Sequence, residues 1–198
     1  MIATLKKISR HMEILLNLDK LDFLTTSQIQ RLHNLGGRRN AQRILKDMQP
    51  YLHSFTLQEN VHYLSSQGRQ EVGSTKIRRR SQTVAHTLLR NEVYIAHKPK
   101  VWKAEMLIKW HGKKLQPDAL YEANRLVFLE IDRTQSMAVN RERITLYHDL
   151  KQSGLFQKQI GEFPIIQFVT LTAHRQKELR ALIDHCRLKG EVLLASDL

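Results

Sequence analysis

The sequence predicts an α/β protein in two parts, on three observations. Residues 1–75 carry helix-period apolar stripes, one glycine turn and one short hairpin pattern. Lys76-Ile77-Arg78-Arg79-Arg80 then forms a basic stretch just after Gly73-Ser74. From about residue 83 the rhythm changes to strand-length runs between helical ones, in the order αβββαβα. The expected division is a domain at 1–75, a basic linker at 76–82 and an α/β domain at 83–198.

The first helix is expected over about residues 4–18, with Leu5, Ile8, Met12, Leu15 and Leu16 on one stripe. Thr25 followed three residues later by Gln28 fits a capping box, so a second short helix starts there and turns Ile29 and Leu32 inward. His33-Asn34-Leu35-Gly36-Gly37 is a turn. A third helix is expected over residues 38–48, with Ala41, Ile44, Leu45 and Met48 at core spacing, and Pro50 limits its far end. Strand-like runs at 52–57 and 61–64 flank Gln58-Glu59-Asn60 as a hairpin, and Ser65-Ser66-Gln67-Gly68 opens a short helix.

Two short helices joined by a glycine turn make a helix-turn-helix, and the hairpin after them gives the order of a winged helix-turn-helix. In that motif the later helix enters the major groove and its early residues meet base edges. Here it presents Arg38, Arg39, Asn40, Gln42, Arg43 and Lys46 away from its apolar stripe. Arginine can bond guanine bidentately, and Asn or Gln can do so with adenine. Arg78, Arg79 and Arg80 are expected to touch phosphates.

Bulk charge agrees. The 198 residues carry a formal net charge of +13, which points to a polyanion, and double-stranded DNA is the simplest one. A membrane partner would need a basic amphipathic helix with lipid-facing aromatics, and none is evident. No apolar run reaches the length of a membrane span and no signal-peptide pattern occurs, so a cytoplasmic location is expected. The single cysteine, Cys186, excludes an intramolecular disulfide and a cysteine zinc site, and reads as a buried small residue.

In the second part a helix is expected over residues 83–96, with Val84, Leu88, Val93 and Ile95 inward. Strands follow at 101–108, 115–121 and 126–131. Then come a helix at 139–152, a buried strand at 164–172 and a last helix at 173–188. Trp102 and Trp110 read as core anchors.

Three carboxylates stand out. Asp118 follows Pro117 at one strand, and Glu130 and Asp132 lie two apart at the end of the next, so the latter two share a face. The spacing from Asp118 to Glu130 suits a tight hairpin between neighbouring strands. Acids at the end of a buried strand suit a divalent metal, Mg2+ or Mn2+. Asp118, Glu130 and Asp132 are the candidate ligands and candidate catalytic residues. A structural reading stands beside this one, in which Asp118 caps a turn and Asp132 pairs with Arg133, Arg141 or Arg143.

Pro117-Asp118 and Glu130-Ile131-Asp132 in this strand order resemble the PD-(D/E)XK nuclease-like fold, over about residues 83–190. That resemblance implies a restriction-endonuclease-like core, in which Asp118 and Glu130 would hold magnesium and a lysine two residues beyond the second acid would act on water. Asp132 occupies the lysine's place. Arg143, Lys103 and Arg133 are candidates for supplying the missing charge, and Glu92 for adding a carboxylate. More of the chain is similar to the replication-relaxation family of plasmids and mobile elements. Pro117-Asp118-Ala119, Leu129-Glu130-Ile131-Asp132-Arg133 and Arg143-Ile144-Thr145-Leu146-Tyr147 carry that likeness. Tyr147 invites comparison with a relaxase nucleophile, but no His-x-His cluster accompanies it and a packed, hydroxyl-bonded tyrosine is the expectation.

The expected function is therefore sequence-specific binding of double-stranded DNA in replication, relaxation or their regulation, with the nuclease-like domain used for assembly. A homodimer, or a replication, relaxase or transposition protein, would be the further partner. The alternative is a metal-dependent nickase targeted by the winged helix.

Overall fold

The computed structural model describes residues 2–198, with side chains from Leu5 onward. It forms two compact units, Met1–Ile95 and Ala96–Leu198.

In the first unit, α1 (Ile2–Leu21) buries Ile14, Leu15, Leu18 and Leu21. Leu5, Ile8 and Leu16 of the expected stripe are exposed: the first half of the helix is uncovered, and Leu16 lies outside the buried face of Ile14, Leu15, Leu18 and Leu21. After β1 (Leu24–Thr25), α2 (Thr26–Leu32) starts with the expected capping box: Thr25 accepts from the Gln28 amide and the Gln28 side chain accepts from the Thr25 amide. Next is α3 (Arg38–Asp47), which buries Ala41, Ile44 and Leu45. A short 3₁₀ turn leads into β2 (Leu52–Thr56) and β3 (Asn60–Leu64). The three strands pair antiparallel in the order β1-β3-β2.

α4 (Ser66–Val72) packs so closely that a Cβ on Gly68 would sit 2.1 Å from the Tyr51 carbonyl oxygen. Only glycine fits there.

The unit closes with α5 (Val84–His97). This helix was expected to open the second domain, yet the division falls near its C-terminal end, between Ile95 and Ala96. The reason is polar. Asn91 is fully buried and donates to the carbonyls of Leu21 and Phe23. Arg90 is 1% exposed and reaches Asp22 at 3.4 Å. Asp22 has a φ of 70°, and this left-handed turn after α1 also offers its carboxylate to Arg78 at 2.7 Å. Lys76 donates to the Asp19 carbonyl at 2.6 Å, and Arg80 lies over the Phe55 ring at 5.3 Å. The basic stretch is thus strapped to its own unit rather than free as a linker.

The second unit holds a five-stranded mixed sheet in the order β10-β9-β8-β7-β4. Its strands are β4 (Val101–Ala104), β7 (Ala119–Glu122), β8 (Leu126–Asp132), β9 (Ile165–Thr170) and β10 (Gly190–Leu194). β4, β7 and β8 pair antiparallel; β8, β9 and β10 pair parallel. The runs expected as single strands at 101–108 and 115–121 are each cut. A separate two-stranded ribbon, β5 (Ile108–Trp110) and β6 (Lys113–Leu115), stands between β4 and β7.

α6 (Met137–Gln152), α7 (Leu155–Ile160) and α8 (Ala173–His185) complete the unit. Phe128, Tyr147, Phe156, Ile166, Phe168 and Leu179 share its core. Trp102 and Trp110 are buried as expected, whereas Cys186 is half-buried at the end of α8. Among the described residues no helix is long and apolar enough to cross a membrane.

Candidate functional site

Two sets of polar side chains deserve comparison, one in each unit. In the first unit, α3 follows Gly36 and Gly37 and exposes Arg38, Arg39, Gln42, Arg43 and Lys46, while its apolar residues point inward. Asn40 departs from the expected base-reading role. Its amide nitrogen donates to the Leu35 carbonyl at 2.8 Å and its oxygen accepts from Arg43 at 2.9 Å. Asn40 therefore fastens the turn before α3 and steadies Arg43.

The hairpin is fixed beside α2 by Glu59 in its turn, whose carboxylate accepts from the Ser27 amide at 3.0 Å. Burial would raise the Glu59 pKa, but hydrogen bonds from Ser27 and Thr25 and the charge of Arg38 bring it below the usual value. On β3, burial pushes His62 down to about 4, so it is neutral near pH 7, with its ring 3.0 Å from the Thr26 hydroxyl. A cleft between α3 and the hairpin is lined by Gln42, Lys46, Gln49, Ser54 and Asn60. Of the other expected phosphate contacts, Arg79 is exposed, Arg78 is committed to Asp22 and Arg80 covers Phe55.

In the second unit the expected hairpin forms. The register Ala119↔Leu129 sets Asp118 opposite Glu130, and Asp118 accepts from the Ile131 amide at 2.7 Å. Glu130 and Asp132 share the face of β8 that looks onto α6. From α6, Asn140, Arg143 and Tyr147 recur at helical spacing on the facing side.

Each acid has its own set of partners. Glu130 is buried, receives the Tyr147 hydroxyl proton as a hydrogen bond, and lies 2.8 Å from Arg143 Nε as an ion pair. Arg143 also donates to the Gln116 carbonyl. Burial pushes the Glu130 pKa up to about 7; Arg143 opposes the rise and Asp118 adds to it. Burial together with the neighbouring Glu130 pushes the Tyr147 hydroxyl well above its ordinary value. Asp132, with its side chain 1% exposed, accepts from Asn140 at 2.8 Å, Thr170 at 3.0 Å and Arg175 at 2.8 and 3.1 Å. Burial raises its pKa, and the Arg175, Asn140 and Thr170 hydrogen bonds more than reverse that.

This geometry corrects the expected metal triad. Magnesium needs about six oxygens in near-octahedral array. The Asp132 oxygens are taken by four donors, and both Glu130 oxygens face a donor or a cation. Among the described residues no group of three or more His, Cys, Asp or Glu could hold a metal ion. As placed here, Asp132 and Glu130 are committed to protein partners, so the three acids do not form a ligand set.

Arg143 is the basic group that meets the Asp118–Glu130 pair. Lys103 is exposed on β4, the Arg133 amide bonds the Gln135 side chain, and Glu92 pairs with Arg31 in the first unit at 2.7 Å. Tyr147 is fully buried, as expected of a packed, bonded tyrosine. The partners missed from sequence are Arg175, Thr170 and Asn140. One signal was readable: Thr172 caps α8 through the Arg175 amide, which puts Arg175 in the first turn after the parallel strand beside β8.

The molecule is thus a two-unit α/β protein with a cationic helix face in one unit and arginine-paired strand acids in the other. Residues 15–166 match the family model described as Replication-relaxation, well over half of the chain. The chain belongs to the replication-relaxation family, and that membership suggests a role in plasmid or mobile-element replication or relaxation. No curated protein matches it.

Proposed function

We propose that the protein is a sequence-specific duplex-DNA-binding protein that acts in plasmid or mobile-element replication, relaxation or their regulation. The first unit would work as a winged helix-turn-helix, with α3 in the major groove and the β2–β3 hairpin as the wing. One observation carries this reading: α3 buries its apolar stripe and leaves Arg38, Arg39, Gln42, Arg43 and Lys46 exposed on the remaining surface. Arginine and glutamine at the start of a groove helix supply base-edge donors, and Lys46 and Arg79 supply phosphate contacts. The second unit would be a PD-(D/E)XK nuclease-like domain that serves assembly with a second copy or with a replication, relaxase or transposition protein.

Selection of binding sites from random duplex DNA tests the proposal. The wild-type chain should enrich one motif. Arg39→Ala with Gln42→Ala should lose that motif while keeping weak, salt-sensitive binding. Equal enrichment by the variant would reject α3 as the reading element.

The alternative is a metal-dependent nickase in which Glu130 is released from Tyr147 and takes a cation with Asp118, with Arg143 as the neighbouring basic group. The register pairing of Asp118 with Glu130 is what favours it. Supercoiled plasmid incubated with Mg2+ or Mn2+ decides. Nicking that disappears in Glu130→Gln would establish the enzyme, and its absence on a selected site would leave the binding reading.

A further inference from the structure

We infer that the β5–β6 ribbon of the second unit is a phosphate-backbone contact for duplex DNA, additional to α3. The inference rests on the DNA-binding reading above and deepens it.

The ribbon is anchored from inside. Ile108, Trp110 and Leu115 are buried in the core of the unit, and the ribbon joins β4 to β7 on short connections. Its turn is tight, with His111 and Gly112 both at positive φ (43° and 75°), as a two-residue type I′ hairpin requires. The ribbon is therefore held rigidly on one side and presents its other side to solvent.

That outer side is cationic. Lys109 and Lys114 are direct cross-strand partners and both are exposed. Directly opposed like charges destabilise an antiparallel pair. Among the described residues no acid pairs with either lysine, whereas the neighbouring Lys113 meets Asp149 at 2.5 Å. His111 at the turn is exposed beside them. An opposed lysine pair without an internal acid is relieved by an external anion. The phosphates of one duplex strand supply anions in a row, and a two-stranded ribbon is narrow enough to lie along a groove.

The ribbon also connects to the strand acids. β6 runs directly into Gln116, whose carbonyl accepts from Arg143 and whose side chain donates to the Glu105 carbonyl at 2.8 Å. The outer lysines are thus mounted on the segment that Arg143 braces.

The test uses the full chain and a random-sequence duplex, with binding followed by fluorescence anisotropy across a sodium chloride series. Lys109→Gln with Lys114→Gln should make the slope of log affinity against log salt shallower by roughly 2, at about 0.9 per phosphate contact. Lys109→Arg with Lys114→Arg should retain the wild-type slope. The selected DNA motif should be the same in all three proteins. An unchanged slope in the glutamine variant, while Arg39→Ala weakens binding, overturns the ribbon contact and leaves the α3 reading in place. The same result with increased aggregation would make the lysines guards against edge pairing. A wild-type chain that binds no duplex defeats both readings. Lysine-dependent binding to single-stranded RNA or anionic phosphatidylglycerol vesicles, with none to duplex, would reassign the surface. Circular dichroism melts confirm folding, since the buried anchors are untouched.

Discussion

The α3 face of the first unit and the α6 face of the second begin from similar side chains and end in different states. On α3, Arg38, Arg39, Gln42 and Lys46 are exposed. On α6, Arg143 is drawn onto Glu130 and Asn140 onto Asp132, with Arg175 arriving from α8. The difference lies in what each helix packs against. α3 packs on α2 and buries Ala41, Ile44 and Leu45. α6 packs over a strand that ends in two carboxylates. A cation facing an internal acid is spent on the fold, whereas a cation facing solvent is available to an outside anion.

The largest effect that could break this contrast is Arg175→Ala. It would leave Asp132 buried with only the neutral donors Asn140 and Thr170, and removing one partner of a buried ion pair costs about 3–5 kcal/mol. Chemical denaturation should show the loss. A variant that is as stable as the wild type would mean that Asp132 is already satisfied without arginine, and would reopen it as a ligand.

Next is the pH dependence of Glu130. Its carboxyl is raised to about 7 in the folded chain from an ordinary value of 4.5, so between these the folded state holds a proton that the unfolded state lacks. Its contribution to stability is present below about pH 4.5 and is lost as pH rises to about 7. Glu130→Gln should flatten that decline in melts taken across the window. A decline of unchanged steepness would place the titrating group elsewhere.

The third effect belongs to α3. Arg38→Ala with Arg39→Ala should weaken duplex binding and make its salt dependence shallower by roughly 2 in log–log slope, with little change in thermal stability, because both side chains are exposed. A stability loss equal to that of Arg175→Ala would erase the contrast between the two helices. The smallest is Thr25→Ala, which removes the cap of α2 and costs about 1 kcal/mol in the same melts. No change would mean that Glu59 holds the α2 N-terminus by itself.

Features set by neighbours in the chain were readable from the sequence. The Thr25–Gln28 capping box, the stripe of α3 and the hairpin that opposes Asp118 to Glu130 depend on residues a few positions apart or on one tight turn. What was missed depends on distant partners. Arg90 and Asn91 look like a solvated helix face until the carbonyls of Leu21 and Phe23 are found beside them. Arg175 lies 43 residues from the carboxylate it clamps. Leu5 and Ile8 fit a buried stripe by periodicity, but periodicity does not say how far along a helix its cover extends. The strand at 190–194 was missed because nothing in its short pattern separates an edge strand from a tail.

β8 has one further consequence, for the order of folding events. With β7 it closes a hairpin through a few residues, but it joins β9 only after α6 and α7 have intervened, pairing Val127 with Ile165. Local closure costs less chain entropy than distant closure and tends to come first. The Asp118–Glu130 pairing should therefore form early, and the Arg175 clamp, which needs β9 and the start of α8, should form late. Contacts absent from the transition state alter unfolding rates rather than refolding rates. Arg175→Ala should accordingly unfold faster in stopped-flow traces while refolding at nearly the wild-type rate, making the clamp a latch on an already assembled sheet.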